Sequence, residues 1–131
     1  MKQVKDVMNP VLVTVEASTP VPNLISDFVE QGITGAPVVD KQGLLLGMVS
    51  RSDVARHWAE TSGQPADPAT YTAADVMTPF VFQVKPEDSV SDTIEVMQSA
   101  GVHRMVVTRH GVPVGIVTTM DLINDYKTML D

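Results

Sequence analysis

Two segments place a hydroxyl and a carboxylate three residues apart, directly after an apolar run: Gly47-Met48-Val49-Ser50-Arg51-Ser52-Asp53 and Gly115-Ile116-Val117-Thr118-Thr119-Met120-Asp121. These residue types at this spacing suit the first turn of a helix. There a Ser or Thr oxygen accepts from the N–H three positions on, and the carboxylate accepts from the capping residue's own N–H, as in a capping box. Asp53 and Asp121 would also complement the positive end of the helix dipole. That structural role is complete in itself, so spacing alone leaves open whether the pairs do more. Arg51, His103, Arg104 and Arg109 are basic groups able to make a local positive pocket for a small anionic ligand.

Other reactive chemistry has no residues to stand on. Neither an H-E-x-x-H zinc motif nor a phosphate-cradling G-x-x-x-x-G-K-[ST] loop occurs. No spacing pairs a nucleophile with a base, so no catalytic residue and no metal ligand is assigned. His103 is balanced between a ligand contact and a half-buried structural histidine, whereas His57 and His110 read as solvated helix and turn residues. Trp58 reads as packing a helix face or an interface with another copy, and the eight methionines as core filler.

The elements that must carry these segments occur twice. Asp6-Val7-Met8-Asn9-Pro10 returns 69 residues later as Asp75-Val76-Met77-Thr78-Pro79, Gly32 returns 69 later as Gly101, and Asp53 returns 68 later as Asp121. A near-constant offset over three landmarks means one folding unit duplicated, with a single residue lost in a turn. Each half reads as strand, helix, strand, strand, helix.

In the first half Val11 to Val15 suits a buried strand. Ser18 or Thr19 caps a helix that buries Val21, Leu24, Ile25, Phe28 and Val29 and stops at Gly32. A hairpin turns at Asp40-Lys41-Gln42-Gly43, and a last helix puts Val54, Ala55 and Trp58 on its apolar side. In the second half the strand is Phe80 to Val84, and the cap is Asp88 or Ser89. The buried stripe there is Val90, Ile94 and Met97, the hairpin turns at His110-Gly111, and the closing helix carries Leu122, Ile123, Tyr126, Met129 and Leu130. Pro113 demands an edge strand or a bulge. The expected division is residues 1–60, a linker at 61–70 rich in small, polar and proline residues, and 71–131.

Composition narrows the class. A length of 131 residues with 44% apolar content supports one compact body made of two related halves. A net charge of −7 argues against nucleic acid as the main partner. The longest apolar runs are a few residues, far short of the roughly 20 a membrane span needs. The absence of cysteine makes a cytoplasmic setting the simplest expectation.

The duplicated D-V-M-x-P opening, the G-I-T-G-A-P-V-V and G-V-H-R-M-V-V segments, and the G-h-h-[ST]-x-x-D endings together resemble a tandem pair of CBS domains, a Bateman module, over about residues 4–125. The resemblance implies an α+β fold of two β-α-β-β-α repeats packed by their sheets about a pseudo-twofold axis. It also implies clefts for AMP, ADP, ATP or S-adenosylmethionine, with the aspartate on the ribose hydroxyls and the hydroxyl residue near ribose or phosphate.

Family clefts are composite. One set is therefore Ser50, Arg51, Ser52 and Asp53 with Val81, Phe82, Val102, His103, Arg104 and Met105. The other is Thr118 and Asp121 with Leu12, Val13, Thr14, Ile33, Thr34, Gly35, Ala36 and Pro37. His103 and Arg104, helped by Arg51, would meet phosphate, which makes the Asp53 set the expected phosphate site.

Gln83 in place of Thr14, Val106 in place of Pro37 and Met120 in place of Ser52 imply unequal clefts. The resemblance further implies a homodimer through helices, here around Ala55, Trp58, Leu122, Ile123 and Tyr126. The expected function is a non-catalytic ligand sensor acting on an unidentified protein. The alternative is a ligand-independent dimerisation or interaction scaffold with vestigial clefts.

Overall fold

A computed structural model describes residues 2–61 and 71–130, so the expected linker lies, apart from Thr61, outside the described residues. In chain order the elements are α1 (Val4–Val7), β1 (Val15–Glu16), α2 (Val21–Gln31), β2 (Gly35–Val39), β3 (Leu45–Ser50), α3 (Arg51–Thr61), α4 (Ala73–Val76), β4 (Gln83–Val84), α5 (Val90–Ala100), β5 (Arg104–Arg109), β6 (Val112–Thr118) and α6 (Thr119–Leu130). The chain is α+β, with two repeats that each form a three-stranded mixed sheet and helices.

The compact units are offset from the sequence repeats. One is Val13–Val81; the other joins Met1–Leu12 to Phe82–Asp131. In the first, β1 runs parallel to β2 and β2 antiparallel to β3. Its core of Val15, Val21, Leu24, Phe28, Ala36, Val38 and Val49 also takes in Ala73 and Val76, from the opening helix α4 of the second repeat. In the other unit β4, β5 and β6 repeat the arrangement, and Val4 from the chain's own opening joins Val84, Met97, Met105, Val107 and Val117. Each opening helix thus completes the core of the repeat to which it does not belong in sequence.

Backbone bonds hold both exchanges in the same way. Ala73 and Ala74 donate to the carbonyls of Thr19 and Ala17 at 2.8 and 3.0 Å, and Met48 and Thr78 exchange bonds of 2.9 and 2.8 Å. In the other unit Val4 and Lys5 donate to Asp88 and Pro86, both at 2.9 Å, and Asn9 and Ile116 exchange bonds of 2.8 and 3.0 Å. The motif glycines make this approach possible. A Cβ on Gly47 would lie 2.5 Å from the Thr78 carbonyl oxygen, and one on Gly115 would lie 2.8 Å from the Met8 sulfur and 2.9 Å from the Asn9 oxygen.

Several local expectations need correction. Of the expected first strand, Val11 to Val15, only Val15 is in register with β2, joined by Glu16 just beyond it, and Val11 is 80% exposed. Of the expected strand from Phe80 to Val84, Gln83 and Val84 form β4, in register with Val106 and Val107, and the Phe82 carbonyl accepts from Val106 N–H at 3.2 Å. Helix α2 is capped by Pro20 without a side-chain bond, and its face is narrower than its apolar content, because Ile25 and Val29 are exposed. On α5, Ser89 is the cap, accepting from Asp92 N–H at 3.0 Å. Thr93, rather than Ile94, shares the interior with Met97, its hydroxyl donating to the Ser89 carbonyl at 2.9 Å.

The two glycine stops hold, with Gly32 and Gly101 left-handed at φ 64° and 67°. Pro113 sits on the edge strand β6 beside a register shift at Val107 and Thr108, as its missing N–H requires.

Candidate functional site

Each hydroxyl–aspartate pair lies where an edge strand runs directly into a helix. At the end of β3, the N–H and hydroxyl of Ser50 donate to Asp53 Oδ2 at 2.9 and 3.0 Å, while Asp53 N–H donates to Ser50 Oγ at 3.1 Å. At the end of β6, Thr118 N–H donates to Asp121 Oδ2 at 2.8 Å and Asp121 N–H returns a bond to Thr118 Oγ1 at 3.1 Å. The capping reading is therefore realised in both repeats. In each it consumes one carboxylate oxygen and leaves the other to other partners.

That second oxygen distinguishes the two sites. Asp53 is 6% exposed, and its Oδ1 accepts from Arg56 Nη2 at 3.0 Å and from Thr78 Oγ1 at 3.2 Å. Asp121 is half-buried, and among the described residues no donor reaches its Oδ1. Arg56 and Thr78 were not foreseen as site residues. Their only signal was a difference between repeats: Thr78 replaces the Asn9 of the first opening motif, and Arg56 stands one turn beyond Asp53 where the second repeat has Asn124.

The expected site residues group by unit. In Val13–Val81 the structure gathers Ser50, Arg51 and Asp53 with Ile33, Thr34 and Gly35. Arg51 N–H donates to the Thr34 carbonyl and Arg51 Nε to the Ile33 carbonyl, both at 3.0 Å, and Gly35 is the register partner of Ser50. In the other unit it gathers Thr118 and Asp121 with His103 and Arg104. Thr119 N–H donates to the His103 carbonyl at 2.9 Å, and Arg104 is the register partner of Thr118. His103 and Arg104, both exposed, thus share a unit with Asp121, and each expected set is divided between the units.

Ala36 and Met105 spend their side chains on the two cores, and Pro37 is also fully buried. Val81, Phe82 and Val102 are half-buried, the latter two against the second core. Leu12 and Val13 are half-buried, and Thr14 and Ser52 are exposed.

Other basic and aromatic groups resolve as follows. Arg109 is paired with Glu87 at 2.9 Å, so its charge is already engaged. Desolvation pushes the Glu87 carboxyl up, but its own backbone N–H, the Arg109 hydrogen bond and the Arg109 and Lys5 charges outweigh this and hold it below its ordinary value. His57 is half-buried rather than solvated, because its ring packs edge-on to Tyr71 with centroids 4.4 Å apart. Trp58 is 67% exposed and joins neither core, whereas His110 occupies its turn at φ 53°. Among the described residues no helix is long and apolar enough to cross a membrane.

The family model described as CBS domain matches residues 4–60 and 73–127, and the chain belongs to that family. The CBS domain of a CBS domain containing membrane protein from Sphaerobacter thermophilus is 34% identical, with 93% of this chain and 86% of that one covered and a TM-score of 0.77. CBSX2 of Arabidopsis thaliana in complex with AMP is 25% identical, with 100% of each chain covered and a TM-score of 0.80. The A-adding tRNA nucleotidyltransferase of Aquifex aeolicus is 25% identical over 129 residues, 98% of this chain. The chain spans only 15%, 41% and 25% of the first three curated relatives it matches.

Proposed function

We propose that the chain is a regulatory module without catalytic activity that takes an adenosine compound, of the class AMP, ADP, ATP or S-adenosylmethionine, at its [ST]-x-x-D loops. The observation that carries this reading is the half-buried Asp121 carboxylate, positioned by Thr118 through Oδ2 and holding Oδ1 for a ligand. A carboxylate oxygen with open lone pairs accepts from a vicinal diol, and the first turn of α6 offers N–H groups to an anionic tail. His103 and Arg104 border the same strand end. The AMP complex of CBSX2, alike over the full length of both chains, supports adenosine as the ligand class. Regulation then follows if the ligand binds two states of the module unequally.

Denaturation with and without ligand tests the proposal. AMP, or another member of the class, at about 100 times its dissociation constant is expected to raise stability by about 2.7 kcal/mol. Asp121→Ala is expected to remove most of that gain. A flat response to AMP, ATP and S-adenosylmethionine alike rejects the sensor reading.

A second reading is favoured by the exposed apolar side of α6. Ile123, Met129 and Leu130 are exposed and Tyr126 is 63% so. Between α5 and α6 lies a groove of about 600 Å³ lined by Met97, Val102, Leu122, Ile123 and Tyr126 among others. Apolar area of this kind suits a second copy, so we propose a homodimer through these helices. Sedimentation of Ile123→Asp, expected to be monomeric, checks it. A dimer that persists while every adenosine compound is ignored would make the chain a scaffold.

A further inference from the structure

The two aspartates are copies of one position, and the capping geometry around them is the same. What differs is what closes on the outer oxygen. Two departures between the repeats converge on Asp53: Arg56, where the second repeat has Asn124, and Thr78, where the first opening motif has Asn9. Both reach Asp53 Oδ1, at 3.0 and 3.2 Å. A carboxylate oxygen has two lone-pair sites, so these two donors fill it.

In the other unit neither position does this. Asn9 turns its Oδ1 to the Val11 N–H at 3.0 Å, and among the described residues Asn124 makes no bond to Asp121. A ligand diol therefore finds one acceptor open and the other already occupied by an ion pair and a hydroxyl.

Building on the adenosine reading above, we propose that Arg56 and Thr78 form a latch on Asp53, so that an adenosine compound fills the Asp121 site first and the Asp53 site only when the latch opens. Arg56 is suited to a reversible latch. Its side chain is 61% exposed, so the guanidinium can swing into water, while Asp53, 6% exposed with the latch closed, loses a partner that the incoming diol replaces. The two sites would then respond to different concentration ranges of one ligand. Arg56 and Thr78 act as specificity-determining residues without belonging to the family's sugar-binding motif.

Calorimetric titration of the full chain with AMP tests this. The wild type is expected to show one tight class of site, lost in Asp121→Ala, and a weaker class. Exchanging the latch for its counterparts, Arg56→Asn with Thr78→Asn, is expected to tighten the weaker class about tenfold. A tight class that survives Asp121→Ala, or a weaker class unmoved by the exchange, overturns the proposal.

If AMP binds neither wild type nor exchange variant, the adenosine reading fails, and the ligand-free protein decides the latch. Asp53→Asn should then lower the melting temperature by about 3 °C more than Asp121→Asn, an excess that vanishes in the exchange background. Equal losses, or an excess that persists in that background, overturn the latch.

Discussion

Gly47→Ala is expected to destabilise the protein by about 3 kcal/mol, read as a lowered urea midpoint with the slope unchanged. The new Cβ would stand 2.5 Å from the Thr78 carbonyl oxygen and 2.9 Å from the Met77 sulfur. The sulfur can move, but the oxygen belongs to a backbone held to Met48 by two hydrogen bonds. The opening segment must back away, breaking two bonds worth about 1 kcal/mol each and drawing Ala73 and Val76 from their seats. Gly115→Ala is expected to cost less, because its nearest neighbours are the flexible Met8 side chain at 2.8 Å and a carbonyl at 2.9 Å. Gly43→Ala meets nothing within 4 Å and pays only for its φ of 86°, about 1 kcal/mol. If Gly47→Ala cost no more than Gly43→Ala, the exchanged segment would not press on β3.

Val4→Asp is expected to cost about 4 kcal/mol, since it buries a carboxylate with no partner at a fully enclosed position. Its location makes the effect informative. Val4 lies among Val84, Met97, Met105, Val107 and Val117, so the loss should be felt 80 to 113 residues away in sequence. Amide hydrogen exchange is the direct readout: Met105 to Val107 and Val117 should lose protection well before Ala36, Val38 and Val49. Val11→Asp, in the same sequence repeat but open to solvent, is expected to stay within about 0.5 kcal/mol of wild type. Protection lost first at Ala36 to Val49 would mean that α1 serves the repeat that encodes it.

The hairpins, helix stops and capping boxes were legible because each depends on a few adjacent residues. Asp40 accepts from the N–H groups of Gln42 and Leu44, both at 2.9 Å, so the Asp-Lys-Gln-Gly turn carries its own bonds. Gly32 and Gly101 adopt the left-handed stop that other residues resist. Val11 to Thr14 misled because a β-branched run favours extended backbone, but pairing requires a neighbour, and β2 offers one only to Val15 and Glu16. Ile25 and Val29 misled because periodicity shows how much of α2 is apolar without showing how much of it the core covers.

The exchange of α1 and α4 left no local trace, since both openings carry the same Asp-Val-Met motif and each seat is built from residues distant in sequence. In the site, the bonds from Ser50 and Thr118 to their aspartates followed from spacing. The closure on Asp53 did not, because it joins one residue a turn along a helix to another from a distant motif.

The swapped opening helices put the stretch that was copied out of phase with the stretch that folds, by about a dozen residues. Scission anywhere between 62 and 70 would leave each product short of one interior helix and burdened with a stray one. Neither piece would be a finished body, and the natural excisable module is Val13–Val81, which straddles the junction between the two copies. Recombination that shuffled single repeats at that junction would inherit the same deficit, so a unit moved on its own must be cut beside Val13 and Val81 instead.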